Sequence, residues 1–167
     1  MKVIFLDKDG VLNSDDFFDN IETADPKGRE CDVDIEKVKL LKEAIKQTGA
    51  TVVVTASARY TRGGQTFMQL LRDHQIFADL TPLIGNERGL EIKEWLSKHP
   101  ETEDFVILDD EIFDSYDEEL MKKLIKISNG NGRNFGEGLM SKDVNEIVQR
   151  LGKKRLRNLE KSDGERW

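Results

Sequence analysis

Three short apolar runs, each stopped by an acidic or hydroxyl residue, constrain this chain more than any other feature. Residues 2–6, KVIFL, stop at Asp7; residues 51–55, TVVVT, end on Thr55; residues 105–108, FVIL, stop at Asp109 and Asp110. A run that is apolar at every position and rich in Val and Ile reads as a strand buried on both faces. Such strands need helices above and below, and the sequence between them supplies the helices. Asp34 can cap a helix carrying Ile35, Val38, Leu41 and Ile45, with Gly49 as its stop. A second helix is expected through Phe67, Leu70 and Leu71 after the turn Arg62-Gly63-Gly64, and a third from Arg88 to Lys98 with Ile92, Trp95 and Leu96 on one face. A short strand around 77–80, a strand over 124–128 and a Ser141-capped helix ending at Gly152 complete the series. Alternating strands and helices predict an α/β fold: a doubly wound, mainly parallel sheet with helices on both faces.

A chain of 167 residues suits one domain with one core. The expected division is a domain over 1–151 and a basic tail over 152–167. That tail holds six basic and three acidic residues, a net of +3. It is read as a solvated helical tail in preference to a polyanion-binding one. The net charge of −7 argues against a broad nucleic-acid footprint. No apolar run is long enough for a bilayer, and MKVIFLD is too soon acidic for a signal peptide, so no membrane contact and a cytoplasmic location are expected. With Cys31 as the single cysteine, an intramolecular disulfide and a cysteine zinc cage are both excluded.

In a sheet of this kind ligands bind at the carboxyl ends of the strands. The residues that end the runs are therefore the candidates: Asp7 with Asp9, Thr55 with Ser57, and Asp109 with Asp110. Clustered carboxylates repel unless a cation or protons neutralise them, and hard oxygen ligands suit Mg²⁺. The Asp-x-Asp-Gly at 7–10 is not a calcium EF-hand, because Gly10 stands at loop position four and Phe18 occupies the place of the bidentate glutamate. His74 and His99 are expected at exposed helix positions, and Trp95 in the core. Gly130, Gly132, Gly136 and Gly138 match neither phosphate-loop pattern and are read as a loop at the rim of the site.

These stretches resemble the haloacid dehalogenase (HAD) superfamily of phosphatases. FLDKDGVLN looks like its first motif, VVVT at 52–55 its second, Arg88 at a helix start its third, and LDDEIFD its acidic fourth. Within the superfamily, FLDKDGVLNS, VVVTASAR, RGLEIKEWL, FVILDD and Gly138-Leu139-Met140 are most similar to the small capless domains of nucleic-acid repair proteins, over roughly residues 1–151. One departure is Ala58, where the repair-type domains carry an aromatic residue before the arginine.

The resemblance implies a Mg²⁺-dependent phosphomonoester hydrolase. Asp7 is the expected nucleophile, forming an aspartyl-phosphate, and Asp9 the general acid and base. Thr55, Ala56 and Arg88 are expected to bind the phosphoryl group, with Lys93 as the alternative basic residue. Asp7, Asp9 and either Asp109 or Asp110 would hold the metal, with Asp114 as outer support, and Ser57, Arg59 and Arg62 would bind more distant substrate groups. A terminal 3′-phosphate on RNA or DNA is one expected substrate, and a nucleotide or sugar phosphate the other. An inactive binding module of the same fold stays open. A phospho-accepting receiver domain does not fit the motif order, since its acidic doublet follows the first strand.

Overall fold

The computed structural model describes residues 1–127 and 135–164, with side chains through Gly152. Five strands, β1 (Lys2–Leu6), β2 (Thr51–Val54), β3 (Asp79–Leu80), β4 (Asp104–Asp109) and β5 (Leu124–Lys126), form one sheet in the order β3-β2-β1-β4-β5. Every pairing is parallel. The first strand of the chain thus lies at the centre, and the order reverses beside it, between β1 and β4. A crevice opens at such a reversal point.

Strand alternation divides the core into two layers. Ile4, Leu6, Val52, Val54, Val106 and Leu108 pack with Val38 and Leu41 of α3 (Ile35–Thr48), Phe67 and Leu71 of α4 (Arg62–Asp73), and Ile147 and Leu151 of α7 (Ser141–Gly164). Their odd-numbered neighbours Val3, Phe5, Val53, Phe105 and Ile107 pack against Ile92 and Trp95 of α5 (Arg88–Ser97) and Leu120 of α6 (Glu118–Lys123). Uniformly apolar strands are required because both faces are covered. The caps follow local chemistry: the Asp34 side chain accepts from Glu36 N at the start of α3, and Gly49, at φ +70°, ends it in the left-handed conformation.

Among the described residues three short α-helices lie outside the expected set: α1 (Asp15–Asp19), α2 (Pro26–Glu30) and α6. Each is six residues or shorter, too brief for a periodic apolar face, and each starts at a side-chain cap from Ser14, Asp25 or Asp117. Helix α7 also corrects an expectation, since it runs through Gly152 to Gly164. One helical glycine costs only about 1 kcal/mol, and the Lys, Arg and Leu after it are good helix formers. Strand β5 stops at Lys126, and Ser128, Gly130 and Gly132 lie outside the described residues. His74 and His99 are half-buried at helix ends instead of exposed, with the His99 ring stacked 3.7 Å from Trp95. Among the described residues no helix is long and apolar enough to cross a membrane.

Phe5 is fully buried and meets Trp95 and Phe105 edge to face at 5.5 and 5.6 Å. Phe5→Ala is expected to lower stability by about 3–5 kcal/mol in urea titration. A loss below about 1 kcal/mol would contradict the central position of β1.

Candidate active site

The register of the sheet builds the site. Leu6 pairs with both Val54 and Leu108, so the residues that follow them lie side by side at the carboxyl edge. Two further ladder bonds hold this alignment: Asp7 N donates to Leu108 O at 3.1 Å, and Thr55 N to Leu6 O at 2.8 Å. Asp7, Thr55 and Asp109 continue the odd-numbered face of their strands, the face covered by α5. Arg88, the first residue of α5, reaches all three segments. Its Nη1 lies 2.7 Å from Asp109 Oδ2 and 3.3 Å from Asp7 Oδ1, and its Nη2 donates to Ser57 Oγ at 3.2 Å. The Phe113 ring sits 4.5 Å from the guanidinium carbon. Lys93, the alternative basic residue, is away from the pocket and pairs with Asp117.

Asp7, Asp109 and Asp110 are buried, and each can offer an oxygen within 4.8 Å of the others. The two neighbouring aspartates differ in their company. Asp109 accepts from Arg88 and Tyr116 at Oδ2 and from Glu111 N at Oδ1. Asp110 instead lines the pocket and rests against Gly10. Gly10, at φ +76°, has no alternative, since a Cβ there would stand 2.1 Å from Asp110 Oδ2. The glycine of Asp-x-Asp-Gly is thus the floor on which Asp110 lies.

Asp9 is at the mouth with 62% of its side chain exposed, next to Lys8 Nζ at 3.2 Å. Buried Asn13 aims it: Nδ2 donates to Asp9 Oδ1 and to Asp32 O, both at 2.9 Å, while Oδ1 accepts from Gly10 N. The pocket, of about 310 Å³, is lined by Asp7, Lys8, Asp9, Asp110 and Arg88, by Ala56, Ser57 and Ala58, and by the rings of Phe113 and Phe135. Larger grooves of about 480 and 450 Å³ lie along α7 and between α2 and α4, but neither contains these groups. Among the described residues the buried Thr55 hydroxyl has no hydrogen-bond partner. Buried polar groups are as a rule paired, so this hydroxyl is available to a water or a ligand atom.

Three expected residues fall elsewhere. Arg59 is only 2% exposed and spends all five N–H groups on protein acceptors: Thr81 O, Thr55 O, Ala56 O, Pro82 O and Glu91 Oε2. It has no donor left for a substrate. Arg62 is exposed at the start of α4 and lines the groove with Lys27 and Gln65. Asp114 is exposed outside the pocket; the hydrogen bond under Asp109 comes from Tyr116. Asn13, Tyr116, Phe113 and Phe135 were not anticipated. Asn13 had a signal, a polar residue closing FLDKDGVLN, whereas the others meet the site only through loop geometry.

The electrostatics follow from crowding in a dry place. Burial pushes the Asp7 carboxyl up to about 7; Arg88 opposes this, while Asp109 and Asp110 add to it. Burial and then Asp109 push Asp110 up to about 6. Burial alone would lower the Arg88 guanidinium, but Asp7 and Asp109 outweigh it and hold the proton more firmly than usual. Hard carboxylate oxygens at this spacing, with negative charge left over, fit a divalent cation such as Mg²⁺. Asp7 and Asp110 line the pocket and could hold such an ion.

An acid whose carboxyl is raised on folding binds its proton more tightly in the folded chain. Its contribution is full below about pH 4, near the ordinary value of 3.8, and is lost as pH rises through about 6 for Asp110. Asp110→Asn fixes the neutral form. Without divalent metal, wild type is therefore expected to lose stability relative to Asp110→Asn between about pH 4 and 7, measured by denaturant titration across pH. A constant difference over that range would contradict the raised carboxyl.

No curated protein matches this chain. A family model described as the HAD domain in Swiss Army Knife RNA repair proteins matches residues 3–134, a span that contains Asp7, Asp9, Thr55, Arg88, Asp109 and Asp110. With the strand order, the buried acidic triad and Arg88 among them, the match places the chain in that family of HAD domains.

Proposed function

We propose that the protein is a Mg²⁺-dependent phosphomonoester hydrolase acting through an aspartyl-phosphate on Asp7. The observation that carries this reading is the convergence of Asp7, Asp110, Arg88 and Ser57 on one pocket, with the buried Thr55 hydroxyl at the adjoining strand end. An Asp7 oxygen attacks phosphorus opposite the leaving oxygen, an acyl phosphate forms, and the ester P–O bond breaks. Asp9, exposed at the mouth and aimed by Asn13, gives its proton to the leaving alkoxide. It then takes a proton from the water that attacks the acyl phosphate, which restores both aspartates and releases phosphate. Arg88, Thr55 and Ser57 donate to the phosphoryl oxygens as charge spreads over them. Asp7 and Asp110 would hold Mg²⁺, which would supply neutralisation of the negative charge shared by nucleophile and phosphate.

A polynucleotide 3′-phosphate is the proposed substrate. The pocket, at about 310 Å³, has room for a phosphate and the sugar next to it, and the rest of a long substrate would remain outside. Membership in a family described for RNA repair proteins favours the same substrate.

Asp7→Asn is expected to reduce Mg²⁺-dependent phosphate release from an aryl phosphate by at least about a thousandfold. Retained release in that variant would remove Asp7 as nucleophile. Turnover of 3′-phosphorylated oligonucleotides should exceed that of mononucleotides; equal or faster mononucleotide turnover would turn the substrate reading to small phosphate esters.

A further inference from the structure

We infer that Arg59 and Glu91 are a positioning pair that indexes the phosphate-binding loop to helix α5 and thereby sets the place of the Arg88 guanidinium. The inference rests on the phosphatase reading of the site. Both side chains are buried, at 2% exposure, and meet at 2.6 Å.

The pair joins three segments. On the loop after β2, Arg59 Nη1 donates to Thr55 O at 3.3 Å and Ala56 O at 3.0 Å. After β3, its Nε donates to Thr81 O at 2.9 Å and Nη2 to Pro82 O at 2.7 Å. Glu91, on α5, accepts the remaining Nη2 hydrogen at Oε2 and Ile84 N at Oε1. Those segments carry the groups that the phosphatase reading assigns to the phosphoryl oxygens: Thr55, Ala56 and Ser57 on the loop, and Arg88 on α5.

Glu91 is three residues after Arg88, on the same side of the helix and one turn along. Fixing Glu91 to Ile84 N, and through Arg59 to the loop carbonyls, therefore fixes the start of α5 in rotation and translation. From there Arg88 returns to the loop at Ser57 Oγ and reaches Asp7 and Asp109. The loop is thus gripped twice, by Arg59 on its carbonyls and by Arg88 on its side chain. Arg59 has no N–H left for a substrate, so any influence on catalysis must pass through this geometry. Displacements of about 1 Å at a reacting group can cost about a hundredfold in rate.

The test uses two variants of the full chain. Arg59→Lys keeps the charge opposite Glu91 but cannot span four carbonyls; Glu91→Gln keeps the size but leaves one acceptor oxygen where two receive Arg59 and Ile84 N, and serves if the first does not fold. In either variant, kcat for an aryl phosphate with Mg²⁺ is expected to fall about tenfold or more while KM stays within about twofold. Orthophosphate affinity with Mg²⁺ present, measured by calorimetry, should fall at least about fivefold. In an Arg88→Met background, the same substitution should change orthophosphate affinity by less than about twofold, because the pair acts through Arg88. Equal losses in both backgrounds, a raised KM with kcat retained, or no loss would overturn the inference. If wild type binds orthophosphate but turns over no ester, the phosphatase reading fails and the binding cycle alone decides the role of the pair.

Discussion

Three carboxylates within 4.8 Å of one another, shielded from water, set the terms for the rest of this structure. Such an arrangement opposes folding unless each charge is answered. Asp109 is answered inside the protein, by Arg88, Tyr116 and the Glu111 amide. Asp7 and Asp110 are answered only in part, and they face the pocket. The chain has one anchored aspartate and two that stay in want of positive charge, a division that a purely structural ion-pair cluster would not need.

Much of this was legible because the strands are uniformly apolar and end abruptly. In KVIFL, VVVT and FVIL the change from apolar to polar marks the strand end, and the parallel register makes three such ends neighbours. Arg88 was favoured over Lys93 by its place at a helix start, and the structure brings Arg88 to Asp7 and Asp109 while Lys93 pairs with Asp117. The arginine after β2 was harder. A guanidinium beside a phosphate loop can face the ligand or the loop's own carbonyls, and residue order does not say which. Arg59 turns inward because two carbonyl-bearing segments and Glu91 surround it, an enclosure made by residues up to Glu91, 32 positions away. Tyr116 escaped for the same reason, since it reaches the site from a loop whose path follows from packing and not from periodicity.

The two buried arginines divide the work that one surface arginine could not do. Arg59, fully hydrogen-bonded and opposite a single carboxylate, is electrically closed. Arg88 faces two carboxylates and a serine and borders open space, so its charge is shared between the protein and whatever enters. A site of this kind gains rigidity from the first and responsiveness from the second.

The central place of β1 has a further consequence for how the chain reaches its fold. The earliest strand has both sheet neighbours later in the sequence, and its pairing with β4 spans about a hundred residues. Until residues 104–109 arrive, one edge of KVIFL has no partner, and the acids of β1 and β4 remain far apart. Their repulsion is felt only when the long loop closes. Pairing β4 with β1 and bringing the three carboxylates together are therefore the same contact, so one strand edge is covered and the site is assembled by a single long-range pairing.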